Sequence, residues 1–144
     1  AAYIPKQGDI ITITFDPQSG HEQKGRHPAY VVSKELFNRS TGLAIVCPIT
    51  NTDRAFPFHV PVPKNSNLTG FIMVEQVKSV DFHSRQAKRI ERGNDELLSN
   101  VLSILDGDLL TGQLDTAQVA KLPTPVSSPL CEIIMIRNMS GKGQ

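Results

Sequence analysis

Tryptophan is missing from this 144-residue chain and aromatic residues make up only 6% of it, so broad base-stacking platforms are not expected. No run approaches the ~18 consecutive apolar residues that cross a bilayer as a helix, and no basic segment followed by an apolar stretch opens the sequence. Neither a membrane span nor export is therefore expected. The two cysteines, Cys47 and Cys131, lie far apart and share no short metal-type spacing. Cys47 falls in the apolar run 43–49 and reads as a buried, reduced thiol, which implies a cytoplasmic address. A large excess of either charge is also lacking, the net charge being +1. Nonspecific nucleic-acid binders usually carry a strong positive excess, so any such partner must meet a local basic surface, best provided by Arg85, Lys88, Arg89 and Arg92. There is no glycine-rich phosphate loop, no paired cysteine–histidine spacing and no Gly-x-Ser-x-Gly elbow. Asp81 and His83, one residue apart, read as surface residues before metal ligands, and neither a metal nor a cofactor is expected.

Hydrophobic residues at 39% and charged residues at 20% suit one compact globular domain. Residues 9–15 alternate around β-branched side chains and predict a strand, closed by the turn formers Asp16, Pro17 and Gly20. Residues 29–33 predict a second strand. Residues 42–50 predict a third, apolar almost throughout and so suited to burial on both faces. Pro57 and Pro61 place a strand over 56–62 at a sheet edge, where a missing amide costs least, and residues 70–80 predict another. Five or six short strands separated by turns make a mainly β domain, a small barrel or sandwich. One helix is expected to start at Asn94, with Asp95 and Glu96 in its first turn, and to stop at Gly107. It would lay Leu97, Leu98, Val101, Leu102 and Leu105 on the barrel. Residues 1–110 form the expected domain. Residues 111–144 form an extension, with prolines and serines over 121–129 and a strand-like stretch from Cys131 to Ile136. The extension reads either as disordered or as a strand added to the barrel or to a neighbouring chain.

The densest polar cluster spans residues 20–28 and includes His21, Glu22, Gln23, Lys24, Arg26 and His27. By composition it is an ordinary solvated turn. Its company is less ordinary: Thr50 ends an apolar strand, and Glu75 and Gln76 interrupt another, as polar residues lining a concave site commonly do. Cutting RNA without a metal needs a base for the ribose 2′-hydroxyl, a donor or cation for the charged phosphorane, and an acid for the leaving oxygen. Histidine, arginine, a carboxylate and a hydroxyl are suitable parts, and the combination permits this chemistry without proving it.

The order of the motifs is more specific. Gly8-Asp9, Phe15-Asp16-Pro17, Gly20-His21-Glu22-Gln23-x-Gly25-x-x-Pro28, Pro48-Ile49-Thr50 and Glu75-Gln76-Val77-Lys78-Ser79 together resemble the MazF/PemK family over residues 5–106. The resemblance implies an SH3-like small β-barrel of the CcdB/PemK type with a C-terminal helix packed on it. It also implies a homodimer, cleavage of single-stranded mRNA at short sequences, and inhibition by a cognate antitoxin protein. Thr50 matches the family's catalytic threonine, and Glu75 an acidic position held to act as a base in the PemK branch. His21, Glu22 and Gln23 match the loop bordering the RNA groove. Phe15 and Gln76 would shape base recognition, Asn51 would join them in contacting RNA, and Lys78 and Arg85 would meet the backbone.

One position departs from the family. The catalytic arginine is expected immediately before the loop's proline, where this chain has His27, with Arg26 one residue earlier. Neighbours in an extended segment point to opposite sides, and a residue before proline favours extended backbone. Histidine is shorter, only partly charged near neutral pH and unable to offer a guanidinium's fork. Three explanations stand open: the enzyme is weakened or disabled, the loop shifts to turn Arg26 inward, or His27 itself serves as acid or base. Two other functions also remain, a catalytically silent barrel that binds RNA or antitoxin, and a CcdB-like toxin that traps gyrase.

Overall fold

The computed structural model describes residues 2–14, 25–53 and 55–110. The strands are β1 (Asp9–Thr14), β2 (Arg26–Val31), β3 (Leu43–Thr50), β4 (His59–Pro61), β5 (Phe71–Met73), β6 (Lys78–Asp81) and β7 (Lys88–Arg92). The helices are α1 (Glu35–Thr41) and α2 (Asp95–Ser103). All pairings are antiparallel, in the order β4-β5-β3-β2-β1-β7, with β6 also on β3.

Strand β3 organises the sheet. Its first half pairs with β6 and its last two residues with β5, while β2 runs along the other edge. Ile45 directs both its polar groups toward the β2 side, its carbonyl accepting from Val32 N (2.9 Å) and its amide donating to Ser33 Oγ (2.8 Å). Alternation then turns Pro48 toward the opposite edge, in the gap between the β6 and β5 ladders. A central strand tolerates this proline because no ladder bond is required there. The gap is occupied by a one-turn 3₁₀ helix, Val74–Gln76, so the strand expected over 70–80 is broken in two.

Alternating side chains feed two cores on opposite faces. Ile10, Tyr30, Cys47, Ile49 and Ile72 join Phe58 and Val60, roofed by Leu97 and Val101 of α2. Leu98, Leu102 and Leu105 pack against the same cluster, as the helical spacing predicts. The opposite face gathers Ile11, Ile13, Ala29, Val31, Ala44, Val46, Val80 and Phe82. Among the described residues no helix residue belongs to this second cluster, yet Ile13, Val31 and Val46 are completely buried. The sheet itself curls around them, which is barrel geometry, although no ladder closes the barrel among the described residues.

Several details differ from the sequence expectation. Helix α1 was not expected; it carries Leu36 and Phe37 outward and buries only Asn38, which bonds Pro5 O and Ser33. Strand β7, read as a basic surface segment, pairs with β1. Gly107 does not end the last helix, because α2 continues as a wider π-type turn, Ile104–Leu110. The proline-bearing β4 does lie at the end of the sheet path.

Candidate functional site

The register of the sheet decides which side chains meet. Ala29 stands opposite Pro48. That is the last pair of the β2–β3 ladder, and alternation along each strand directs His27 and Thr50 to the face that carries Ala29, Val31 and Val46. Lys78, opposite Val46, shares this face. Thr50 is half-buried, and its hydroxyl accepts from Thr52 N at 3.2 Å, which curls the chain beyond β3 into a turn. Gly70 makes this possible. Its φ is +146°, and a Cβ there would lie 2.7 Å from Thr50 O, so no side chain could let β5 approach so closely.

Arg26 faces the other way. It pairs with Thr14, and its Nη2 reaches Thr12 Oγ1 (2.7 Å) and the carbonyls of Gln86 (2.9 Å) and Thr12 (3.3 Å). Gln86 is held with φ at +54°, an uncommon conformation for a side-chain-bearing residue. The guanidinium therefore ties β1, β2 and the β6–β7 turn together on the side away from Thr50. His27, its neighbour, is exposed.

Two cations converge near the Thr50 face. Arg85 Nη1 donates to Thr14 O at 2.9 Å, and Thr14 N donates back to Arg85 O at 3.0 Å. This fixes Arg85 at the end of β1, against Thr14. Burial pushes the Lys78 ammonium below the usual lysine range, and the charge of Arg85 pushes it the same way. Two like charges held within mutual influence are suited to a polyanion.

Glu75 is placed differently from a solvent-facing residue. It sits in the 3₁₀ turn beside β3, and its Oε2 lies 3.0 Å from His59 Nε2, the two side chains being 2% and 3% exposed. Sequence reasoning missed His59, because a lone histidine among prolines in 56–62 carries no periodic or spacing signal. Gln76 is half-buried in the same turn and Asn51 is exposed. Phe15, His21, Glu22 and Gln23 lie outside the described residues, as do Cys131 and the extension 111–144. Cys47 is completely buried. Asp81 is exposed, and its Oδ1 accepts from the amides of His83 and Ser84, both at 3.1 Å. It caps a turn, and no cluster of metal-binding side chains exists among the described residues. No described helix is long and apolar enough to cross a membrane.

A small curled antiparallel sheet, with His27, Thr50 and Lys78 on one face and Arg85 within electrostatic reach of Lys78, makes a mainly β domain with a polar candidate site. The family model described as PemK-like, MazF-like toxin of type II toxin–antitoxin systems matches residues 6–107, and the chain belongs to that family. It is similar to the endoribonuclease toxin ChpB of Escherichia coli K12, with 41% identity over 102 residues covering 67% of this chain and 87% of that protein. The endoribonuclease toxin MazF of the same strain is 37% identical over 87 residues, 60% of this chain and 78% of that one. Among solved structures, MazF of Deinococcus radiodurans superposes with a TM-score of 0.67 at 34% identity, covering 75% of this chain and 98% of that one. A MazE–MazF complex from the same organism gives 0.68 at 32% identity, covering 74% and 97%.

Proposed function

We propose that this chain is the toxin of a type II toxin–antitoxin pair, a metal-independent endoribonuclease acting on single-stranded mRNA with its rate limited by His27. The observation that carries the reading is the shared face of His27, Thr50 and Lys78, with Arg85 at its margin. On this reading Lys78 and Arg85 hold the RNA backbone. The Thr50 hydroxyl donates to a non-bridging phosphate oxygen. The ribose 2′-hydroxyl then attacks phosphorus as a base takes its proton. The new bond closes a 2′,3′-cyclic phosphate while the bond to the 5′-oxygen breaks, and that oxygen receives a proton. Glu75 is the carboxylate assigned to the base, and Gln76 and Asn51 contact bases, with Phe15, His21, Glu22 and Gln23 completing the groove.

His27 stands where a guanidinium would bind the phosphorane through two parallel bonds. An imidazole offers one N–H toward the same oxygens, so the enzyme turns over slowly. Arg26 does not compensate, since its guanidinium is engaged on the opposite face by Thr12 and Gln86. A homodimer, inhibition by a MazE-like antitoxin and a cytoplasmic location accompany this function, as the complex from Deinococcus radiodurans suggests for the partner. The gyrase-trapping alternative is not favoured by relatives that are endoribonucleases. A silent RNA- or antitoxin-binding barrel remains the second reading, favoured by the burial of Glu75 and by the engagement of the Arg26 guanidinium with Thr12 on the opposite face.

The test is cleavage of single-stranded RNA in excess chelator with analysis of the new ends. The reading expects 2′,3′-cyclic phosphate ends, and their loss in Thr50→Val. Cleavage that requires added magnesium, or that leaves 3′-hydroxyl ends, would refute it.

A further inference from the structure

Glu75 lies where the sheet gives it least guidance. The turn Val74–Gln76 fills the gap between β5 and β6 on the edge of β3, so no ladder register fixes its side chain. Its carboxylate is nonetheless almost wholly buried, and taking a carboxylate out of water costs several kcal/mol unless a donor or cation meets it. That role falls to His59, which comes from β4 and stands opposite Met73, two residues before Glu75. The imidazole Nε2 lies 3.0 Å from Glu75 Oε2.

The ring is in turn held by packing. Phe56 meets it edge-on, with centroids 5.1 Å apart and planes at 67°, while its Nδ1 is buried without a hydrogen-bond partner among the described residues. A histidine retained for a polar network would use both nitrogens. This one spends a single nitrogen, on Glu75, and leaves the other buried and unsatisfied. An apolar residue would pack there at lower cost, unless the carboxylate needs its partner.

We propose that His59 is a positioning residue for the cleavage reaction, fixing the orientation of the Glu75 carboxylate through the Nε2–Oε2 contact. This rests on the assignment of Glu75 as the base. It extends the site beyond the RNA-facing residues to a side chain that touches no substrate. His59 ties the base to the β4–β5 hairpin, which also sets Thr50 through Phe71.

The experiment is a double-mutant cycle in RNA cleavage, measured as kcat and KM, with thermal unfolding of every variant. It is run in the unaltered chain, and in a His27→Arg background if the unaltered turnover is too slow to measure. His59→Leu is expected to lower kcat by roughly 10- to 100-fold, the scale of a reacting group displaced by about 1 Å, with little change in KM. His59→Gln, whose amide can donate to the same oxygen, should recover much of the loss. In a Glu75→Gln background, His59→Leu should cost little more, because both residues act as a unit. Losses that multiply in the double variant, or an unchanged kcat in His59→Leu beside a reduced one in Glu75→Gln, would overturn the proposal while leaving Glu75 in place. A fall in kcat that tracks unfolding and is not rescued by glutamine would also overturn it. An unchanged kcat in Glu75→Gln would remove the assignment beneath it, as would absence of cleavage in both backgrounds.

Discussion

At residue scale, positions 26 and 27 illustrate how one step along a strand separates structure from chemistry. The two side chains leave the backbone on opposite faces, and the contacts of Arg26 with Thr12, Thr14 and Gln86 commit its charge to holding the sheet together. Arg26→Ala removes several charge-assisted bonds at a partly exposed site, so a loss of about 1–2 kcal/mol is expected, seen as a lower urea midpoint. RNA affinity should fall little beyond what that destabilisation explains. Lost cleavage with an unchanged midpoint would instead place Arg26 in the site. Thr50→Val keeps the shape of the side chain and removes the hydroxyl donor, so it should lower the rate far more than it weakens RNA binding, as titration with a 2′-deoxy substrate would show. Equal losses in both would make Thr50 a binding residue only.

At the scale of elements, the close approach of β5 to β3 is the feature most exposed to substitution. Gly70→Ala would drive a methyl group against Thr50 O at a backbone angle that L side chains rarely adopt, at a cost of about 1–3 kcal/mol. It should lower both the unfolding midpoint and the cleavage rate, since the atom displaced belongs to the site; wild-type values for both would contradict the geometry described. The β6–β7 turn makes a pH-dependent contribution. The amides of Ser84 and His83 and the Ser84 hydroxyl hold the Asp81 carboxyl below its usual range. A carboxyl with a lowered folded-state pKa adds stability that is present above its unfolded value and lost as pH falls through the folded one. Asp81→Asn should therefore flatten the fall in stability as pH drops below the ordinary aspartate range, measured as urea midpoint against pH. An unaltered acid limb would show that the cap does not matter.

These elements also show what the sequence made legible. Strands β1 and β3 were readable because β-branched or apolar runs mark buried surface, and α2 because five leucines and valines recur on one side below an Asn94 cap that accepts from Leu97 N at 2.7 Å. Helix α1 was not, since it buries only Asn38 and leaves Leu36 72% exposed, erasing any apolar period. Strand β7 hid behind its charges, which suit an edge strand as well as a loop. At the proposed site, motif order pointed to Thr50, Glu75 and Lys78 as candidates. It could not supply the face on which each stands, because only the register opposite Pro48 distinguishes His27 from Arg26. His59 was beyond reach because its partner lies 16 residues away, across a hairpin and a turn.

At the scale of the whole molecule, the family match over 6–107 takes in all but one of the buried core residues, the first core adding Leu109 just beyond it. We expect a chain ending at Leu110 to unfold at the same urea midpoint as the full chain and to cleave RNA equally well. A lower midpoint would make residues 111–144 part of the folding unit. On the proposed function, a MazF-like ribonuclease site is retained and His27 limits its rate. The most direct test is single-turnover cleavage of a long single-stranded RNA in EDTA by the chain and by its His27→Arg variant. Slow cleavage is expected from the first and an increase of about 10²- to 10³-fold in the second, the scale of one transition-state contact regained. Cleavage by neither protein would contradict it, and so would equal rates from the two.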